Sequence, residues 1–230
     1  MDLQVLYQDW RRDGTRRTLH GLAMRVIKRL APYQAMYGVH LALDQLTVAE
    51  SDVAYETRFL EAHELLRFTE QEPALEPDFT RDAIARGDRC YGVLDGDRLA
   101  SFGWYSTRAT VVLDHLYLHF DPAFCYMYNG FTHPDYRGER LHGIGMARAL
   151  RALTDEGCRG IVAVVDTDNV RSLRSCSRLG YRRFGVIRIM GRGEGAWIHA
   201  SSGCAAYDVT LSPSAERDPV TKRRRSPKAA

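Results

Sequence analysis

The sequence has no long uninterrupted apolar run, no Cys-x-x-Cys pair and no apolar secretory core near its start. The first absence argues against a helix that crosses a membrane. The five cysteines (90, 125, 158, 176 and 204) are scattered and odd in number, which argues against a disulfide framework and a zinc site. Reduced thiols, a cytoplasmic location and no bound metal are therefore expected. Two familiar phosphate loops are missing as well. No G-x-x-x-x-G-K-[ST] occurs, and no G-x-G-x-x-G with its distant acidic partner. No internal repeat is visible.

What remains is an ordinary globular composition. The 230 residues are 45% hydrophobic and 27% charged, enough for one domain with additions or two small ones. The net charge of +3 conceals basic ends and an acidic body. Residues 14–43 contain Arg16, Arg17, Arg25, Lys28 and Arg29 without one acid. Leu19, Leu22, Ala23, Val26, Leu30 and Tyr33 recur there at helical spacing, predicting a helix over 15–37 that Pro32 kinks or ends. Such a helix would dock on the domain by its apolar stripe, or meet anionic lipid, an acyl carrier protein or a partner chain. The Pro-, Ser- and Arg-rich stretch 213–230 predicts a basic disordered tail. Contact of these basic ends with nucleic acid or membrane is not expected, because a short arginine run is usually a solvated patch.

The centre is more specific. An aromatic, strand-like segment, Phe124–Thr132, is followed by His133-Pro-Asp-Tyr-Arg-Gly-Glu-Arg-Leu-His-Gly-Ile-Gly145 and then by a helical pattern, Met146–Leu153. A strand, a turn with glycine and arginine, and a helix start together make an anion site, because the first helical amides lack partners and the dipole there favours negative charge. Arginine adds a planar fork for phosphate. Downstream, Arg159–Asp166 reads as a buried strand. Thr167-Asp-Asn169 starts a helix, Val170–Leu179, which Gly180 closes before a strand over Tyr181–Met190.

These two halves resemble the GNAT acetyltransferase superfamily. There an Arg/Gln-x-x-Gly-x-Gly/Ala loop is followed by an Asn that opens the next helix, and by Gly-aromatic at that helix's end. Arg137-Gly-Glu-Arg-Leu-His142 is similar to the loop, although Arg140 and His142 stand where the family prefers small residues. A second register, Arg140 to Gly145, fits the letters better. Asn169 lies 32 residues after Arg137 and 29 after Arg140, both near the family's spacing of roughly thirty, and the first register is preferred. Asn169, Ser172, Cys176, Gly180 and Tyr181 resemble the second half of the signature.

The resemblance implies an α/β (α+β) fold, with a mixed, mostly antiparallel sheet whose central parallel pair splays apart, flanked by helices. The extra N-terminal helix would precede it. Val53–Glu61 would be the first core strand, then helices at Glu64–Thr69 and Phe79–Arg86. A hairpin would follow over Arg89–Ser106, turned by Asp95-Gly96 in type I′, then a strand over Val111–Phe120, and Trp197–Leu211 would close the sheet. The domain is expected at 46–212, between an extension (1–45) and the tail (213–230).

The implied activity is transfer of an acetyl or other acyl group from acyl-CoA to a primary amine of a small molecule or peptide, in a ternary complex. A homodimer is a possible assembly. Phe131 and Thr132 would pair with pantetheine amides. Arg137, Gly138, Glu139, Arg140, Leu141, His142 and Gly143 would hold the pyrophosphate, with Asn169 and Ser172 facing the pantetheine arm. Cys176 occupies the position of the family's tyrosine acid. With an ordinary pKa near 8.5, its thiol would either protonate the departing CoA sulfur or merely pack. Asp114, His115, His119, Tyr126 and Tyr128 are candidate bases. Two rival readings are an acyltransferase using a longer chain or an acyl carrier protein, and an acyl-CoA-binding regulatory module without turnover.

Overall fold

A computed structural model describes residue 15 and residues 33–47, 54–113, 116–191 and 195–216. Two sheets carry the fold. The larger has eight strands in the order β10-β9-β1-β8-β7-β4-β3-β2. These are β1 (Tyr33–Leu41), β2 (Glu56–Phe59), β3 (Arg89–Asp95), β4 (Arg98–Ser106), β7 (Cys125–Thr132), β8 (Ile161–Asp166), β9 (Arg182–Met190) and β10 (Trp197–Ala200). The smaller sheet has the order β11-β6-β5, built from β5 (Thr110–Leu113), β6 (Leu116–His119) and β11 (Thr210–Ser212). Among the described residues four α-helices accompany the sheets: α1 (Ala62–Phe68), α2 (Pro77–Arg86), α3 (Leu141–Asp155) and α4 (Val170–Leu179). The expected mixed, mostly antiparallel sheet is present, with β7 and β8 as its parallel pair.

The first strand is the main correction. Residues 33–37, expected at the end of an N-terminal helix, belong to β1, which lies between β8 and β9 and is antiparallel to both. The expected domain boundary at residue 45 therefore falls beyond a strand of the sheet itself. Pro32 supplies no N–H and disfavours helix around itself. A strand paired on both edges buries residues on both faces, so its apolar run has no clear period of two. Ala35, Met36, Val39 and Leu41 are all buried, and the spacing of Tyr33 to a helical stripe was coincidental. Residues 16–32 of the expected helix, and the expected tail beyond residue 216, lie outside the described residues.

Smaller departures follow from turns. The expected closing strand over Trp197–Leu211 is two short strands in different sheets, separated by a 3-10 segment at Ser202–Tyr207. The expected strand over Val111–Phe120 is an antiparallel pair, β5 and β6. In the β3–β4 hairpin Asp95 pairs with Arg98, and of the two loop residues only Gly96 has positive φ (56°). That is the signature of a type II′ turn rather than I′.

The core divides by face. Alternate residues of the central strands point to opposite sides. Val39, Leu41, Cys125, Met127, Ile161 and Ala163 meet Met146, Leu150 and Leu153 of α3. Met36, Tyr126, Val162, Ile187 and Ile189 meet the smaller sheet through Leu116, Leu118 and Leu211. A third cluster, around the fully buried Trp104, seats α1 and α2 on the same side as the smaller sheet. Burying such a tryptophan contributes several kcal/mol, about 3–5 by the cost of truncating one.

Candidate functional site

β7 and β8 pair through only two residue pairs, Cys125 with Ile161 and Tyr126 with Val162. Beyond these, β7 stays bonded to β4 as far as Thr132, and β8 to β1 as far as Asp166. Their facing edges thus separate, and a cavity of about 660 Å³ fills the wedge. That volume suits a small-molecule site. The opening reaches both faces of the sheet, since its wall includes Met127, Cys176 and Tyr181 on the α3–α4 side and Tyr126 and Tyr128 on the other.

An irregularity in β7 shapes one wall. Tyr128 pairs with Trp104 and Phe131 with Phe102, so β7 holds one residue more than β4 across this step. Asn129, within it, has a left-handed φ of 46°. Such a bulge re-aims the side chains around it. It also brings Gly130 under the His142 ring. A Cβ on Gly130 would lie 2.4 Å from His142 Cε1.

Of the residues expected to bind cofactor, Phe131, Thr132, Arg137, His142, Asn169 and Ser172 line the cavity, together with Cys176. Gly138, Glu139, Arg140, Leu141 and Gly143 lie outside its wall. Glu139 turns away and accepts a hydrogen bond from the Tyr55 hydroxyl at 2.6 Å, which lifts that phenol to about 12. Leu141 is 1% exposed and its side chain packs in the core with Val93 and Tyr136. Gly143 backs onto Leu179, 3.2 Å from where its Cβ would stand. Arg140 is the N-cap of α3 in a left-handed conformation, φ 63°, at a cost of about 1–3 kcal/mol for a non-glycine residue.

That cap leaves the helix start unusual. No side chain caps α3 and no acidic residue stands in its first turn. The first helical bond runs from Ile144 N–H to the Arg140 carbonyl at 3.1 Å, so the amides of Leu141, His142 and Gly143 precede it. His142, packed beside them, has its pKa lowered by burial.

On α4, Asn169 is the N-cap, its Oδ1 accepting from the Ser172 amide at 3.1 Å. Asn169, expected to face the pantetheine arm, thus lines the cavity and also holds the start of the helix. About two turns further along, burial pushes the Cys176 thiol up to about 11. Tyr181, used in the sequence only as a motif letter, also lines the cavity, and its buried hydroxyl has no hydrogen-bond partner among the described residues. Burial raises its pKa as well. No local sequence signal separates such a tyrosine from a packing one.

The candidate bases scatter. Asp114 and His115 lie outside the described residues. His119 is buried in the smaller sheet, its Nε2 2.8 Å from Ser212 Oγ and 3.0 Å from the Ser214 carbonyl, and it does not line the cavity. Tyr126 and Tyr128 do line it, their rings stacked at 5.5 Å and 3°. The Tyr128 hydroxyl donates to Asp88 Oδ2 at 2.6 Å, and Arg86 reaches the same carboxylate at 2.9 Å. Sequence reading missed Asp88 and Arg86, as it missed Gln34 and Met36, which β1 brings to the cavity wall. Among the described residues no cluster of three or more His, Cys, Asp or Glu side chains could hold a metal ion.

The acetyltransferase (GNAT) family matches this sequence over residues 56–181, more than half of the chain. No curated protein matches it. Among solved structures, the chain is similar to a GNAT-family protein from Novosphingobium aromaticivorans, at 15% identity and a TM-score of 0.47, covering 68% of this chain and 62% of that one. A Drosophila protein matches at 19% identity and a TM-score of 0.48, covering 73% and 56%. A GCN5-related N-acetyltransferase-like protein from Streptococcus suis matches at 15% and 0.45, covering 72% and 65%. The chain thus spans less than two thirds of the length of each of these proteins.

Proposed function

The chain belongs to the GNAT acetyltransferase family, and from that premise we propose that it moves an acyl group, acetyl in the simplest case, from acyl-CoA to a primary amine within a ternary complex. One observation carries the reading: the parallel pair opens after two residue pairs while both strands remain bonded to their outer neighbours. A strand edge left open in this way accepts an extended, amide-bearing chain as an added strand. Pantetheine has two such amides, and Phe131 and Thr132 offer the backbone to meet them.

The ends of the wedge suit the ends of acyl-CoA. The uncapped start of α3 presents amides and a positive dipole end to an anion, and Arg137 lines the same cavity as His142 of that first turn. Gly138, Glu139, Arg140, Leu141 and Gly143 would contribute through the backbone path of this turn rather than through side chains in the cavity. Asn169 and Ser172 would bound the pantetheine arm from α4. Cys176, held protonated by its surroundings, is suited to give a proton to the departing sulfur. Tyr181 beside it is the alternative donor.

The test is direct. Acetyl-CoA should bind, release of CoA thiol should follow on adding the right amine from a library, and Arg137→Ala should weaken binding by about 1–3 kcal/mol, the range for a charge-assisted hydrogen bond. An unchanged dissociation constant in Arg137→Ala would remove the diphosphate from this corner.

A further inference from the structure

The acceptor amine arrives as ammonium at neutral pH and must lose a proton before it can attack a thioester. The side of the opening opposite Cys176 holds a group suited to take it. Asp88 lies at the turn between α2 and β3, with its side chain 2% exposed. Its Oδ2 accepts from the Tyr128 hydroxyl at 2.6 Å and from Arg86 at 2.9 Å. A hydroxyl has one donor and two acceptor positions. Tyr128 spends its donor on Asp88 and one acceptor position on Arg86, at 3.3 Å. One lone pair is left, on a residue that lines the cavity. The ring is fixed by Tyr126 stacked on one side and Phe79 edge-on at 6.0 Å.

We infer that Tyr128 is the residue that accepts the proton of the incoming ammonium, passing its own hydroxyl proton to Asp88. The inference rests on the acyl-transfer reading above. In the step, an ammonium N–H bond breaks and its proton bonds to Tyr128 Oη, whose former proton bonds to Asp88 Oδ2. The nitrogen lone pair thus freed forms the C–N bond, and the C–S bond breaks with its electrons on sulfur. The second proton lost by nitrogen balances the one sulfur gains, and Asp88 returns its proton to water after product leaves. Arg86 holds the Asp88 carboxylate against the hydroxyl, so Arg86 is a positioning residue, Asp88 acts through Tyr128, and Tyr128 is the catalytic one. The charged and titratable groups acting on the hydroxyl are Asp88 and Arg86; burial and Asp88 together raise the Tyr128 pKa, which keeps it a proton carrier rather than a phenolate.

The experiment compares two small nucleophiles with acetyl-CoA at about pH 7: ethylamine, an ammonium there, and hydroxylamine, which is largely neutral. Tyr128→Phe keeps the ring packing, and Asp88→Asn keeps the shape of the carboxylate. Both variants should lower ethylamine turnover by on the order of 100-fold and hydroxylamine turnover by less than about threefold. Acetyl-CoA affinity, measured by calorimetry, should be unchanged. Equal losses with both nucleophiles, or no loss with ethylamine in Tyr128→Phe, would overturn the relay while leaving acyl transfer intact. Failure of the unmutated protein to bind acetyl-CoA, or to release thiol with either nucleophile, would overturn the acyl-transfer reading and the relay with it.

Discussion

The two sides of the opened sheet are built differently. On the α3–α4 side, backbone meets backbone or ring at close range: Gly130 lies under His142, and Gly180 packs so tightly that a Cβ there would stand 1.8 Å from the Gln45 carbonyl oxygen. Its polar groups include two neutral donors, the Cys176 thiol and the Tyr181 hydroxyl. On the other side, the stacked Tyr126 and Tyr128 rings form the wall, and behind Tyr128 stands the Asp88–Arg86 ion pair. The proposed acyl transfer would use this asymmetry. One side would admit main chain and anion, and the other would provide the route for a proton.

Breaking the backbone contacts should have the largest effect. Gly180→Ala forces a left-handed residue (φ 101°) against the Gln45 carbonyl, and should cost more than about 3 kcal/mol in denaturant unfolding. A loss below about 1 kcal/mol would mean that α4 can shift freely, contradicting close packing on that side. On the opposite side, Asp88→Ala leaves Arg86 and Tyr128 without their shared acceptor. It should destabilise by about 1.5–3 kcal/mol, the range for hydrogen bonds to a charged group. No change in unfolding would show that the ion pair is not buried in solution.

Thiol reactivity sharpens the contrast further. Cys158 lies outside the opening, and the hydrogen bond from Cys125 lowers its pKa, whereas burial raises Cys176 to about 11. Iodoacetamide near neutral pH should therefore modify Cys158 well before Cys176, as read by peptide mass mapping. Early labelling of Cys176 would deny it the protonated state its proposed role requires. The smallest effect is on the pH dependence of stability. Burial lowers the pKa of His40, His119 and His142. A depressed imidazole favours the neutral form in the folded state, so its contribution is complete above about pH 6.5 and is lost as pH falls below it. His142→Gln should flatten this acid decline slightly in thermal melts, and an unaltered profile would place His142 in water.

The same asymmetry explains what the sequence made legible. The α3–α4 side rests on local signals, such as Arg137-Gly138 before a helix, Asn169 as a cap and Gly180 as a stop, and these positions were found. Their roles were less legible: Leu141 points into the core, and Glu139 leaves for Tyr55, because neither fact depends on neighbours in sequence. The opposite side depends on register. Asp88 and Tyr128 are forty positions apart and meet through the pairing of β3 with β4 and β4 with β7. β1 escaped for a related reason. A strand buried on both faces has no period to read, and its partners, β8 and β9, follow more than a hundred residues later.

The central claim is that acyl-CoA enters the wedge as an added strand, with its diphosphate at the start of α3. Amide hydrogen exchange with and without acetyl-CoA tests it most directly. Protection should rise at Phe131, Thr132 and the amides of Leu141, His142 and Gly143, and stay unchanged along β2 and β10. Binding that leaves those amides exchanging at their former rate, or that protects a different strand edge, would contradict the account.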